Sequence, residues 1–387
     1  MDSASGRLPD ALQSLLHQVD ASQLKNVDLA EQLATALPKA ELHLHIEGTL
    51  EPQLALALAR KNGVKALLDE YADSEEVLRA AYRFSSLDSF LRVYYACMAV
   101  LQTEADFARL ATEYLARAHA DRVRHAEVFF DAQAHARRGV SLATVVRGLR
   151  AGLHSAQQRF GMCTRLILCI QREYPEEDAL CTLHEALAFR DDIDGIGLDG
   201  SEVANPPERF ARAFALARAH GWRVVAHAGE EAPPNYIWAA LNALQVQRVD
   251  HGVRCLDDPQ LVRHLRRTQV PLTVCPLSNI QLRVCADLSV HPLRRLLDEQ
   301  LCVSVHSDDP AYFGGYLNDN LLAVVRHTGV RAADILRLLH ASFRASFPCE
   351  RARQHEAELI ADAQRVLARY RPADREAGDG TNTACEP

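Results

Sequence analysis

Two histidines one residue apart, His43 and His45, stand in the run Ala40-Glu41-Leu42-His43-Leu44-His45-Ile46-Glu47-Gly48-Thr49. At the end of a short strand the two-residue period puts both imidazoles on one face, close enough to hold a single metal ion. Groups of metal-ligating or proton-transferring type recur after later apolar runs, in His227-Ala228-Gly229-Glu230-Glu231, Val249-Asp250-His251-Gly252 and Val305-His306-Ser307-Asp308-Asp309-Pro310. Singly, each has an ordinary alternative. His-x-His can be two half-buried rings satisfied by backbone, Asp308-Asp309-Pro310 a helix cap, Asp250 a solvated loop charge and His251 a core histidine. Their recurrence at four separate strand ends favours chemistry, because a parallel barrel delivers its functional groups to one rim.

His43, His45, His227 and Asp308 offer three nitrogens and one hard oxygen, a set that suits zinc and leaves a position for water. Zinc lowers the pKa of such a water to about 7, making hydroxide available at neutral pH. Gly229 lets the chain turn inward after His227, bringing the Glu230 carboxylate toward the same place. Two-metal amidohydrolase barrels generally need a bridging carboxylated lysine on the fourth strand. The corresponding segment, Ile193-Asp194-Gly195-Ile196-Gly197-Leu198-Asp199, has none, so one zinc per chain is expected.

The elements that must position these groups follow from periodicity. Strands are expected at 41–45, 124–131, 164–171, 193–199, 222–228, 248–251, 271–275 and 301–306, with helical patterns between them from the second strand onward. Eight strands alternating with helices predict a TIM-type (β/α)8 barrel, an α/β fold. An open doubly wound sheet is the alternative, and the lack of Gly-x-Gly-x-x-Gly after the first strand weighs against it. About 60 residues of helical pattern separate the first two strands, and Phe84 to Leu101 is expected to form a lid, giving extra helices over the C-terminal rim. Residues 1–36 form a helical extension, 1–371 one domain, and 372–387 a disordered polar tail. His125 and Glu127 mimic half of a nucleic-acid deaminase motif, but no Pro-Cys-x-x-Cys accompanies them and they fall inside a strand.

Composition narrows the partners. The chain of 387 residues is 48% hydrophobic, enough for a large core, and its formal charge of −8 gives no electrostatic case for nucleic acid or an anionic membrane. A small neutral substrate and water fit better. The 10 cysteines include no Cys-x-x-Cys and suggest buried thiols rather than a disulfide framework. No secretory leader pattern or apolar stretch of membrane-spanning length is present, so a cytoplasmic protein is expected.

Taken with Gly197-Leu198-Asp199-Gly200-Ser201-Glu202, the runs above resemble the motifs of the adenosine/adenine deaminases, in order, over about residues 37–345. The resemblance implies a zinc-dependent barrel that hydrolyses the 6-amino group of a purine and releases ammonia. It implies that His43, His45, His227 and Asp308 hold zinc, that Glu230 protonates purine N1, and that His251 orients or deprotonates the attacking water. Asp308 would also steer a proton, Asp309 would meet N7, and the Gly200 N–H would meet N3. Adenosine deaminases usually carry Asp where this chain has Glu47. The longer side chain would occupy ribose space, and together with Val274-Cys275-Pro276-Leu277-Ser278-Asn279 it resembles the adenine deaminase branch, whose reaction is adenine to hypoxanthine in purine salvage. His306 and Gly200-Ser201 depart from that branch and could reshape the pocket toward N6-substituted adenines. Adenosine deamination, a purine-binding barrel without activity and a cyclic-amide hydrolase are the other readings. The last predicts the missing lysine.

Overall fold

The computed structural model describes residues 10–18, 26–84 and 87–370. Eight strands form one parallel sheet in chain order: β1 Lys39–Glu41, β2 Val123–Phe130, β3 Cys163–Gln171, β4 Gly195–Asp199, β5 Arg223–Ala228, β6 Arg248–His251, β7 Leu272–Val274 and β8 Val303–Val305. The sheet closes beyond the end of β1. The His45 N–H donates to the Asp308 carbonyl and the Asp308 N–H to the His43 carbonyl, both at 3.0 Å. On the other side, the Phe129 N–H donates to Leu44 at 2.8 Å and the Ile46 N–H to Phe129 at 3.0 Å. The result is the expected TIM-type (β/α)8 barrel, not the open sheet.

The first strand was expected over 41–45, whereas regular pairing covers Lys39–Glu41 and resumes only at Leu44 and His45. Side chains cause the gap. The Leu42 N–H donates to His306 Nδ1 at 3.1 Å, and the Leu42 carbonyl accepts from Arg248 at 2.9 Å. Both belong to a polar layer inside the barrel, where Arg248 also donates to Glu127 at 2.6 Å and to Asp250 at 3.3 Å. His125 and Glu127 are hydrogen-bonded at 2.9 Å within this layer, on one face of β2 as expected.

Local signals set the helices. Thr103 and Asp106 form a capping box at the start of Glu104–Ala120, and Ser141 caps Leu142–Phe160. Between the first two strands, the helix Leu87–Met98 brings Phe90, Leu91, Tyr94 and Tyr95 to the rim pocket, within the segment expected to be a lid. Of the N-terminal extension, Asp10–Gln18 and Val27–Ala36 are helical, with Leu12 and Leu15 in the core. The tail expected over 372–387 lies outside the described residues. Among the described residues no helix is long and apolar enough to cross a membrane.

One expectation is corrected. Cys163 and Cys349 form a disulfide across a sequence separation of 186 residues. Cys163 opens β3, and Cys349 lies on the return after the helix Ala332–Ala345, a proximity that only the closed fold creates. Of the seven other described cysteines, all free, Cys97, Cys169, Cys255, Cys275 and Cys302 are buried.

Candidate active site

The carboxyl ends of the strands converge on one group of donors. His45 Nε2 lies 3.1 Å from His227 Nε2 and 3.6 Å from Asp308 Oδ1, and His43 Nε2 lies 3.4 Å from the same oxygen. Donors at zinc-ligand distance around a tetrahedral centre stand about 3.3 Å apart. The spacing therefore fits a metal. His43 Nε2 is buried and has no hydrogen-bond partner among the described residues, as a lone pair reserved for an ion would be.

A hydrogen bond fixes the His43 ring. Thr273 Oγ1 donates to Asp250 at 2.7 Å, so it accepts from His43 Nδ1 at 3.0 Å, which puts the His43 proton on Nδ1 and frees Nε2. Asp199 Oδ2 lies 3.6 Å from His45 Nδ1 and Asp250 Oδ2 3.8 Å from His227 Nδ1, a carboxylate behind each remaining ring. Burial holds His227 well below the ordinary histidine range and His45 at about 4, so both are neutral, as ligands must be. Asp308 adopts φ 65° and His251 φ 61°, left-handed conformations that cost a residue with a side chain about 1 kcal/mol or more.

His251 is the fifth group. With His43, His227 and Asp308 it forms a set whose ligand atoms lie within 4.8 Å of one another. Its approaches are to Glu230 Oε2 at 3.5 Å and to Asp308 Oδ2 at 3.8 Å, beside the 3.6 Å approach of His45 Nε2 to Asp308 Oδ1. Burial, with His43 adding, lowers the His251 pKa to about 3 and leaves the ring neutral.

Glu230 lines the pocket. Burial, then the nearby Asp308 charge, pushes its carboxyl well above the usual range. A chain of hydrogen bonds orients it. The Leu293 N–H donates to His291 Nδ1 at 3.2 Å, so His291 Nε2 carries the proton and donates to Asn279 Oδ1 at 3.2 Å, which turns the Asn279 amide nitrogen toward Glu230 Oε1 at 3.4 Å. The turn bearing Glu230 is held from below. Glu202 accepts the N–H groups of Gly229, Glu230, Glu231 and Ala232 at 2.7–2.9 Å, while Gly229 takes φ 71°.

Asp309, Gly200 and Ser201 line the pocket. Burial, then the adjoining Asp308, pushes the Asp309 carboxyl well above its usual range, the direction that favours a protonated, donating side chain. Its position depends on Gly48, where a Cβ would stand 2.1 Å from Asp309 Oδ1.

Two expectations change. Glu47 is buried and is not among the pocket-lining residues. Its Oε1 accepts from His135 Nε2 at 2.7 Å and from the Asp131 N–H at 3.2 Å, so the extra methylene carries the carboxylate back behind the wall instead of into ribose space. His306 also faces away from the pocket, bonded to the Leu42 N–H at 3.1 Å and to Ser304 at 2.7 Å, which removes it as a reason to expect N6-substituted substrates. Sequence reasoning assigned no role to Thr273, Asn279, His291, Glu202 or Arg172. Arg172 is fully buried and donates to the backbone of Asp199 at 3.1 Å and of His227 at 2.5 Å. Only Glu202 and Asn279 had a signal, since both lie within the quoted motifs.

Fold and site together define a (β/α)8 barrel with a metal-type histidine–aspartate cluster at the carboxyl ends of its strands. The chain belongs to the adenosine deaminase family, whose profile matches residues 38–363. It is 52% identical over 319 residues to an adenine deaminase of Cupriavidus necator, covering 82% of this chain and 90% of that protein. The crystal structure of an adenine deaminase from Arthrobacter aurescens superposes with a TM-score of 0.81 at 46% identity, covering 86% of this chain and all of that one. An amidohydrolase structure from Burkholderia ambifaria with bound Zn has a TM-score of 0.75 at 27% identity, covering 91% and 96%. Members of the family are hydrolytic deaminases.

Proposed function

We propose that this protein hydrolyses adenine to hypoxanthine and ammonia, with one zinc ion per chain held by His43, His45, His227 and Asp308. The observation that carries the reading is the placement of Glu230 on the pocket wall, 3.5 Å from His251 and beside a donor cluster of zinc-like spacing, with burial pushing its carboxyl well above the usual range. High identity to adenine deaminases along most of the chain supports the choice of purine.

Zinc, when bound, acidifies water so that hydroxide is available near neutral pH. The protein does the rest. Neutral Asp309 donates to N7 and the Gly200 N–H to N3, which sets the ring plane and presents C6 to the cluster. Glu230 gives its proton to N1 as oxygen adds to C6, so negative charge does not accumulate on the ring. Neutral His251 accepts a proton from the attacking water, and Asp308 steers it toward the amino group. As the C6–N6 bond breaks, ammonia leaves with one proton of the water, hypoxanthine keeps the N1 proton, and the second proton of the water restores Glu230. The helix Leu87–Met98, with Phe313 and Leu282, covers the reacting ring with apolar surface.

The test is a purine panel supplied to the zinc-loaded protein, with ammonia and product followed together. Equimolar hypoxanthine and ammonia from adenine are expected. Turnover of N6-alkyl adenines or adenosine with none of adenine would overturn the reading.

A further inference from the structure

We propose that the Asp131 carboxylate accepts the N9–H of the free purine base and is the residue that selects a base over a nucleoside. The inference rests on the reading of the site as an adenine deaminase and adds the determinant that the displaced Glu47 does not supply.

The order of groups round the rim carries it. From β5 through β4, β3 and β2 to β1 and β8, the pocket wall presents Glu230, Gly200, Gln171 with Asp131, His45, and then Asp309. Round the purine perimeter the ring nitrogens run N1, N3, N9, N7. With Glu230 at N1, Gly200 at N3 and Asp309 at N7, N9 faces the ends of β2 and β3. Those ends carry acceptors. Asp131 is 5% and Gln171 3% exposed, and Asp131 Oδ1 and Gln171 Oε1 are buried without a donor among the described residues. Asp199 lies against Asp131, and a proton held between the two still leaves Asp131 acceptor lone pairs.

Free adenine has an N–H at N9, and a nucleoside has a sugar there instead. A buried acceptor wall rewards the first and leaves the second with unpaired polar groups in its path. Glu47 is then a positioning residue, since its Oε1 takes the Asp131 N–H and fixes the backbone that carries the acceptor. The Asp131 side chain makes no cap bond to the helix Ala132–Arg137 that follows, so truncating it leaves that helix start unchanged.

The experiment compares adenine with 9-methyladenine by kcat/KM, and hypoxanthine with 9-methylhypoxanthine by Kd, in the zinc-loaded wild type and in Asp131→Ala. Asp131→Leu, alike in branching though larger and without an acceptor, serves if the alanine variant does not fold. The wild type should favour the N9–H member of each pair by about 100-fold or more, and the variant should lower both ratios about 10- to 100-fold, the range of a hydrogen bond to a charged group. A wild type indifferent to the methyl group, or ratios that do not move in the variant, would overturn the assignment of Asp131 alone. A wild type that does not deaminate adenine at all would overturn the function and this inference together.

Discussion

His45 and Asp308 meet twice: the His45 N–H donates to the Asp308 carbonyl at 3.0 Å, and their side chains approach to 3.6 Å. The backbone contact closes the barrel between its first and last strands, and the side-chain contact builds the donor cluster. The same two residues therefore join the barrel seam and the donor cluster. A change that opens this seam should cost metal affinity and stability together.

Removing a donor should remove the metal. In His43→Ala and Asp308→Ala, zinc measured by elemental analysis should fall from about one per chain to well below that, with activity lost in parallel. Full zinc occupancy in both variants would place the ligands elsewhere.

Glu230→Gln keeps the shape of the side chain and loses its proton. Zinc content should stay at the wild-type level while kcat falls about 10²- to 10⁴-fold. Near-normal turnover would remove Glu230 as the acid.

Glu202 holds four N–H donors of the turn that carries Glu230 from behind the pocket wall. Glu202→Ala should lower kcat more than it changes KM, reduce Tm by several degrees and retain zinc, with Glu202→Gln recovering part of both. Equal, wild-type values of kcat in the two variants would deny it a positioning role.

Glu41 lies inside the barrel, where burial raises its pKa from 4.5 to about 7. The folded state thus binds its proton more tightly than the unfolded chain. The stability associated with this group is full below pH 4.5 and is lost as pH rises through about 7, a change of about 3 kcal/mol at most. Thermal unfolding of wild type and Glu41→Gln between pH 4.5 and 7.5 should show a smaller decline in the variant. Parallel curves would contradict this.

Much of this site is legible in the sequence, because strand ends followed by turn residues mark where a barrel places its chemistry. His43, His45, His227 and Asp308 converge as the two-residue period and the strand count require. The polar partners behind them were not legible. Thr273, His291 and Arg172 act through contacts between distant strands and loops, and no local pattern encodes such pairings. Glu47 failed for a different reason: residue identity predicts reach but not direction, and the available partners, His135 and the Asp131 N–H, lie behind the wall. The disulfide between Cys163 and Cys349 was hidden in the same way by its long separation.

The central claim is that the site deaminates a free purine base. Its most direct test is the ratio of kcat/KM for adenine to that for adenosine, measured by ammonia release on one zinc-loaded preparation. Adenine should lead by orders of magnitude, since only the free base pairs with the buried acceptors of the wall. Comparable values, or a preference for adenosine, would contradict it.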